Sequence, residues 1–124
     1  MTTTRVPWNA GRWTNPPSAV GEEGDDLRVT CAPGSDAWRV TSYGFVHDSE
    51  NALVTPLENG TAVEVVFTAD FSKQFDQAGL FLVAGGETWV KAGLEFADGT
   101  LQLGAVVTHG TSDWSVAPVQ EWLG

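Results

Sequence analysis

Basic side chains are scarce in this sequence, with Lys and Arg numbering six against sixteen Asp and Glu and a formal net charge of −10. A surface so acidic repels the phosphates of nucleic acids and anionic lipid headgroups, which leaves neutral, cationic or protein partners. Cysteine occurs once, at Cys31, so no internal disulfide can staple the fold, and a small buried core residue is the expected role. The opening MTTTRVPWNAG has no apolar stretch of the secretory kind, and no apolar run reaches membrane-spanning length. These absences lead to the expectation of a cytoplasmic protein without membrane contact. Helical periodicity is missing too, since no segment sustains it for three turns. There is no His-x-Glu metal pairing, no Ser/His/Asp set with a nucleophile elbow and no phosphate loop; AGGETWV reads as a hairpin turn. His47 and His109 stand alone, and Asp36, Asp48 and Asp113 do not follow a calcium-loop spacing, so no metal or cofactor is expected.

Tryptophan and glycine are abundant instead, at six and 14 residues, and both suit a β-rich protein with tight turns. Residues 1–25, broken by Pro7, Pro16 and Pro17, read as an extended arm held down by Trp8 and Trp13. Residues 26–124 read as one β-sandwich domain. Strand-like alternation occurs at 27–31, 37–44, 62–70, 77–84, 88–96, 100–108 and more weakly at 114–119. Asn59-Gly60 and Asp98-Gly99 are the clearest hairpin signals. Short strands with such turns between them predict an all-β, antiparallel sandwich or barrel.

Two hairpins can be put in register by requiring apolar residues to share a face, because a slip of one residue moves a whole set into water. A two-residue turn at Asp98-Gly99 sets Phe96, Leu94, Ala92 and Val90 opposite Leu101, Leu103, Ala105 and Val107. A three-residue loop, Gly85 to Glu87, sets Leu82, Leu80 and Ala78 opposite Val90, Ala92 and Leu94. This is the expected core face. The other face then carries four rows: Gln77, Glu95 and Gln102; Gly79, Gly93 and Gly104; Phe81, Lys91 and Val106; Val83, Trp89 and Thr108. With strands about 4.8 Å apart, three adjacent glycines leave a side-chain-free trough about 10 Å across. Such a trough accommodates a crossing segment, a sharply curved sheet or a ligand.

The stretches RWTNPP, DAWRVTSYGF, VEVVFTADFSKQFDQAGLFL, WVKAGLEFADG and VVTHGTSDWS resemble the family of domains of unknown function numbered 1349, whose members are often labelled regulators of enolase. The resemblance runs from about Trp13 to Ser115. It implies a concanavalin A-like jelly-roll β-sandwich, the architecture of many lectins and glucanases, whose concave face holds carbohydrate in relatives of the fold. It implies no particular activity. Family members run on past the SDWS stretch by further strands, whereas this sequence ends in VAPVQEWLG, which predicts an open sheet edge and possible homo-oligomers through it.

On these grounds the expected ligand-binding residues are Gln77, Gly79, Phe81, Trp89, Lys91, Gly93, Glu95, Gln102 and Gly104. Trp89 or Phe81 would serve as a sugar platform, with Gln77, Glu95 and Gln102 as planar hydrogen-bonding groups. Lys91 and Glu95 lie about 13 Å apart along a regular strand, too far for a direct ion pair. A glycosidase needs two carboxylates about 5 to 9 Å apart, and this strand offers Glu95 alone. The leading expectation is therefore a noncatalytic, lectin-like module with an oligosaccharide ligand. The alternatives are a regulatory or protein-interaction domain of carbohydrate metabolism that uses its acidic surface with the trough merely filled, and an atypical carbohydrate-active enzyme with Glu95 as acid or base. In DAWRVTSYGF, Trp38 and Tyr43 are expected on opposite strand faces, and Trp114 is expected to pack at a sheet edge.

Overall fold

The computed structural model describes residues 3–123. Its strands are β1 (Arg12–Trp13), β2 (Ala19–Glu23), β3 (Asp26–Thr30), β4 (Ala37–Arg39), β5 (Val46–Asp48), β6 (Leu53–Val54), β7 (Asp76–Gly85), β8 (Thr88–Ala97), β9 (Thr100–His109) and β10 (Thr111–Pro118). Pairing is antiparallel in the β1/β6, β2/β3, β7/β8, β8/β9 and β9/β10 ladders, and β4 pairs with β5. The chain divides into two units, one comprising residues up to 37 together with 46–61, the other 38–45 together with 62–124.

In the first unit, asparagine amides tie loops that strand ladders do not reach. Asn51 accepts from the Ala32 amide at 2.9 Å and donates to the Asn15 carbonyl at 3.2 Å, while Asn15 donates to the Asp48 and Glu50 carbonyls. The β2/β3 hairpin turns through Gly24 at φ 62°, a left-handed conformation that glycine adopts without strain. Trp8 donates its indole N–H to the Asp25 carbonyl at 3.0 Å and Trp13 pairs with Leu53 in the β1/β6 ladder, so both tryptophans hold the segment read as an arm, which carries the paired strands β1 and β2. Trp8 and Trp13 line an open cleft of about 330 Å³ with Leu53 and Glu22, whose carboxylate has no partner among the described residues. Cys31, expected in a core, is exposed, because it follows a hairpin whose residues are nearly all exposed.

The second unit is built on a four-stranded meander in the order β10-β9-β8-β7. The register agrees with the apolar-matching argument at every position it covers, from Ala78 opposite Leu94 to Val90 opposite Val107. Asp98 and Gly99, at φ 54° and 74°, make the two-residue turn that suits the twist of the flanking strands. The other turn differs from expectation: Gly85 still pairs with Thr88, the reversal is Gly86-Glu87, and the extra residue is a bulge between Val83 and Gly85.

Two other strand expectations are corrected. Residues 62–70 alternate as a strand should, yet they form none, and all are exposed. Alternation supplies a face but not a ladder partner, and a strand exists only where its backbone groups are paired. The Asn59-Gly60 turn, with Gly60 at φ 81°, is accordingly not flanked by paired strands. The segment 37–44 is strand only to Arg39; Val40 and Ser42, at φ 70° and 66°, bend the chain back so that Tyr43 meets Trp38 edge to face with centroids 5.8 Å apart, not on the opposite side.

Burial divides both faces of the meander. On the side taken for the core, Leu101 is 2% exposed and Leu80, Val90 and Leu94 are half-buried, whereas Leu82, Leu103 and Val107 are exposed. On the other side, Val106 and Thr108 are buried while Val83 and Val116 are exposed. Alternation shows that two faces differ; what packs against each is decided elsewhere in the chain.

Candidate functional site

The rows of the second face stand as the register requires. Gln77, Glu95 and Gln102 are cross-strand neighbours, as are Gly79, Gly93 and Gly104, then Phe81, Lys91 and Val106, then Val83, Trp89 and Thr108. Strand β10 extends each row, with Pro118, Val116, Trp114 and Ser112 in turn. All nine expected site residues therefore lie on one face of one sheet.

The glycines are not an open floor. A Cβ on Gly79 would stand 2.2 Å from the Ala92 carbonyl oxygen and 2.7 Å from Gly93 Cα, and a Cβ on Gly93 would meet Ala78 and Gly79 in the same way. Backbone on the adjacent strand, not a ligand, excludes a side chain at both positions. At Gly104 the neighbours are side chains, Val116 Cγ1 at 3.0 Å and Trp114 Nε1 at 3.6 Å. Trp114 and Phe75 meet edge to face at 6.3 Å, although Phe75 precedes β7 and Trp114 lies on the far edge strand. In the register, a line between them crosses Glu95 and Gly104. A contact spanning three strand intervals requires the sheet to curl toward this face. Trp114 also meets Trp38 at 6.0 Å, and Tyr43 stacks on Phe45 at 5.1 Å. The expected row of glycines stands, with Gly79 exposed; close strand approach excludes a side chain at Gly79 and Gly93, and Val116 and Trp114 lie against Gly104.

The cover changes what each site residue can do. Glu95 is 9% exposed and Trp89 4%, so Trp89 is no open sugar platform. It instead packs on Phe81, with centroids 5.3 Å apart, and lies 6.0 Å from the Lys91 ammonium, a cation–π arrangement that holds the half-buried charge. Gln77 and Gln102 donate to the Phe75 and Ala97 carbonyls at 3.1 Å each. Of the site set, Gly79 is exposed, while Gln77, Phe81, Lys91, Gly93, Gln102 and Gly104 are half-buried. Among the described strand residues of this face, Glu95 is the one carboxylate, an arrangement without the paired acids of a glycosidase. Among the described residues no cluster of His, Cys, Asp or Glu could hold a metal ion.

Sequence reasoning missed the polar anchor of the last row. Thr108 and Ser112 share a hydrogen bond of 2.8 Å, both are buried, and the Arg39 amide donates to Ser112 Oγ at 2.9 Å. Arg39 then reaches the Gly110 carbonyl at 3.1 Å and Glu87 at 2.5 Å. The Thr/Ser pairing was detectable only through the register of β10, which begins three residues before its expected start. Ser112→Ala is expected to cost about 2 kcal/mol in urea unfolding, because it leaves the Arg39 amide and the Thr108 hydroxyl without that partner. Thr108→Val should cost about 1 kcal/mol, since Ser112 keeps its bond to Arg39.

Comparison with known proteins bears on this arrangement. Residues 13–124 match the family described as "Protein of unknown function (DUF1349)". The chain belongs to the DUF1349 family. It is 35% identical over 107 residues to "Regulation of enolase protein 1" of Saccharomyces cerevisiae, covering 86% of this chain and 54% of the yeast protein. An uncharacterized protein of Emericella nidulans is 37% identical over 68 residues, 52% of this chain and 34% of its own. The crystal structure of a functionally unknown Saccharomyces cerevisiae protein superposes with a TM-score of 0.76 at 31% identity, over 92% of this chain and 62% of that one. This DUF1349 chain therefore has the family's antiparallel, all-β sandwich fold. It spans about half the length, or less, of the curated relatives it matches.

Proposed function

We propose that this chain is a noncatalytic regulatory module of carbohydrate metabolism that works by contacting another protein through its acidic surface. One observation carries the reading: Trp89 and Glu95 of the glycine face are out of solvent, so its indole is no open platform and its one carboxylate is not accessible. The excess of acids lies elsewhere. At the β2/β3 turn, Glu22, Glu23, Asp25 and Asp26 are exposed, with Arg28 beside Glu23 and Arg5 beside Asp25. That leaves Glu22 unpaired at the cleft of Trp8 and Trp13, a setting that favours a cationic side chain of a partner. The printed name of the yeast relative, "Regulation of enolase protein 1", makes enolase the first partner to try.

The test is enolase turnover and binding titrated with the purified chain at low and at 0.5 M salt, about a threefold shorter screening length than at 0.05 M. Binding should weaken in high salt and in Glu22→Lys. Enolase that neither binds nor changes rate in the presence of the chain would remove it as the partner.

A second reading, a lectin-like site, is favoured by the exposed Gly79 with Gln77, Phe81 and Lys91 half-buried around it. Oligosaccharides should then raise the melting temperature of the protein but not of Lys91→Ala. If no sugar shifts either, this reading fails.

A further inference from the structure

Four asparagines occur in the chain, and their neighbours treat them differently. An asparagine side chain is open to attack by the backbone nitrogen of the residue after it, so the partner of that nitrogen matters. The Ala10 amide after Asn9 donates to the Pro7 carbonyl at 3.0 Å. Pro16 after Asn15 carries no N–H, and the Asn15 side chain is held by the Asp48 and Glu50 carbonyls at 2.9 Å each. The Ala52 amide after Asn51 donates to Thr14 Oγ1 at 3.3 Å, and the Asn51 side chain is bonded through both its oxygen and its nitrogen. Asn59 and Gly60 differ. Neither the Asn59 side chain nor the Gly60 amide has a hydrogen-bond partner among the described residues, and both residues are exposed. The turn that carries them is held only at its end. Gly60 at φ 81° and the Thr61 amide, 3.3 Å from the Glu58 carbonyl, make it type II, and the Thr61 hydroxyl donates to the same carbonyl at 2.6 Å. Residues 55–70 are all exposed and outside the ladders. Such a segment opens locally at little cost, and Gly60 has no Cβ to obstruct rotation of its peptide toward the Asn59 side chain.

We propose that Asn59 is a site of spontaneous covalent modification, converting to aspartate and isoaspartate through a cyclic imide formed with Gly60. The Gly60 nitrogen gives its proton to hydroxide and attacks Asn59 Cγ. The N–Cγ bond forms, the Cγ–Nδ2 bond breaks, and the departing nitrogen takes a proton from water and leaves as ammonia. A second water opens the imide. Cleavage at Cγ leaves aspartate; cleavage at the main-chain carbonyl leaves isoaspartate, whose backbone runs through the side chain and is one carbon longer. Either product adds a negative charge beside Glu58 in a chain already at −10. The longer backbone falls two residues before the chain passes from the first unit to the second, after Thr61. The same imide can form at Asp98-Gly99, with water leaving in place of ammonia. There, however, the turn closes a ladder of two ten-residue strands, and Gln74 holds the Asp98 amide at 2.7 Å and its carboxylate at 3.2 Å. Asp98 therefore stays unmodified in the folded chain. This inference does not depend on the proposed regulatory contact.

Peptide mapping by mass spectrometry tests it, on the full chain incubated folded and, in parallel, unfolded in guanidinium chloride. Amide loss shows as the mass difference between a hydroxyl and an amino group, and chromatographic retention separates isoaspartyl from aspartyl peptides. Amide loss is expected at residue 59 ahead of residues 9, 15 and 51, at a folded-state rate within about tenfold of the unfolded one. That rate should rise about tenfold per unit of pH, as the fraction of amide anion does. Isoaspartate at residue 98 should form at least about 100-fold more slowly folded than unfolded. Comparing each site with itself unfolded cancels the intrinsic difference between an amide and a carboxyl leaving group. Asn59→Gln should remove the modification while keeping the β circular dichroism of the parent, since its imide ring would be one atom larger. Amide loss at residue 59 slowed more than about 100-fold by folding overturns the proposal, because the turn would then protect the side chain. So does earlier loss at another asparagine, or equal folded and unfolded rates at residue 98, which would show that hydrogen bonding does not select the site.

Discussion

Gly93→Ala is expected to lose about 3 kcal/mol or more of unfolding free energy, measured by urea denaturation followed by circular dichroism. The cause is backbone, which cannot step aside as a side chain can. A methyl on Gly93 would stand 2.2 Å from the Ala78 carbonyl oxygen and 2.7 Å from Gly79 Cα, so β7 and β8 must separate at their centre. Gly79→Ala makes the reciprocal clash and should cost a similar amount. The two substitutions compete for one gap, so their double variant should depart clearly from additivity. Gly104→Ala provides the contrast. Its closest neighbour is the Val116 side chain at 3.0 Å, which can shift, and a loss under about 1.5 kcal/mol is expected. Equal effects at Gly93 and Gly104 would mean that the close approach of β7 and β8 does not exist.

That contrast marks where the sequence could be read and where it could not. The ladder pairs of β7, β8 and β9 were legible because three long strands alternate in phase, and any slip would place leucines opposite lysine and tryptophan. The glycine row followed from the same register. Its cause did not, because the distance between neighbouring backbones is set by twist and curl, which depend on what lies over the sheet. Trp114 and Phe75, far apart along the chain, supply that cover. The inward face was equally hidden: Leu103 reads as core from its pattern, yet it is exposed in the single chain. Residues 62–70 fail in the same way, with a good strand pattern and no ladder. In each case the local signal was sound, and the missing quantity was a partner distant in sequence. Cys31 shows the limit of composition alone, since its hairpin is too exposed to bury even a small side chain.

The cover itself gives the second large effect. Trp114→Ala should cost about 3 to 5 kcal/mol, because it deletes an indole that meets Trp38 at 6.0 Å and Phe75 at 6.3 Å and leaves a cavity over Gly104. Trp114→Phe should behave differently. The indole Nε1 is buried without a hydrogen-bond partner among the described residues, and leaving a donor unsatisfied costs about 1 to 3 kcal/mol. A phenyl ring removes that donor and keeps an aromatic edge for Trp38 and Phe75, so part of the lost contact is offset and a net cost under about 2 kcal/mol is expected. Urea unfolding gives the two energies, and amide exchange locates them: the Gly93 and Gly104 amides should exchange faster in Trp114→Ala than in Trp114→Phe. Equal losses in the two variants would mean that the indole N–H, and not the aromatic contact, carries the stability. If Trp114→Ala left exchange over the glycines unchanged, the indole would not be what closes the face.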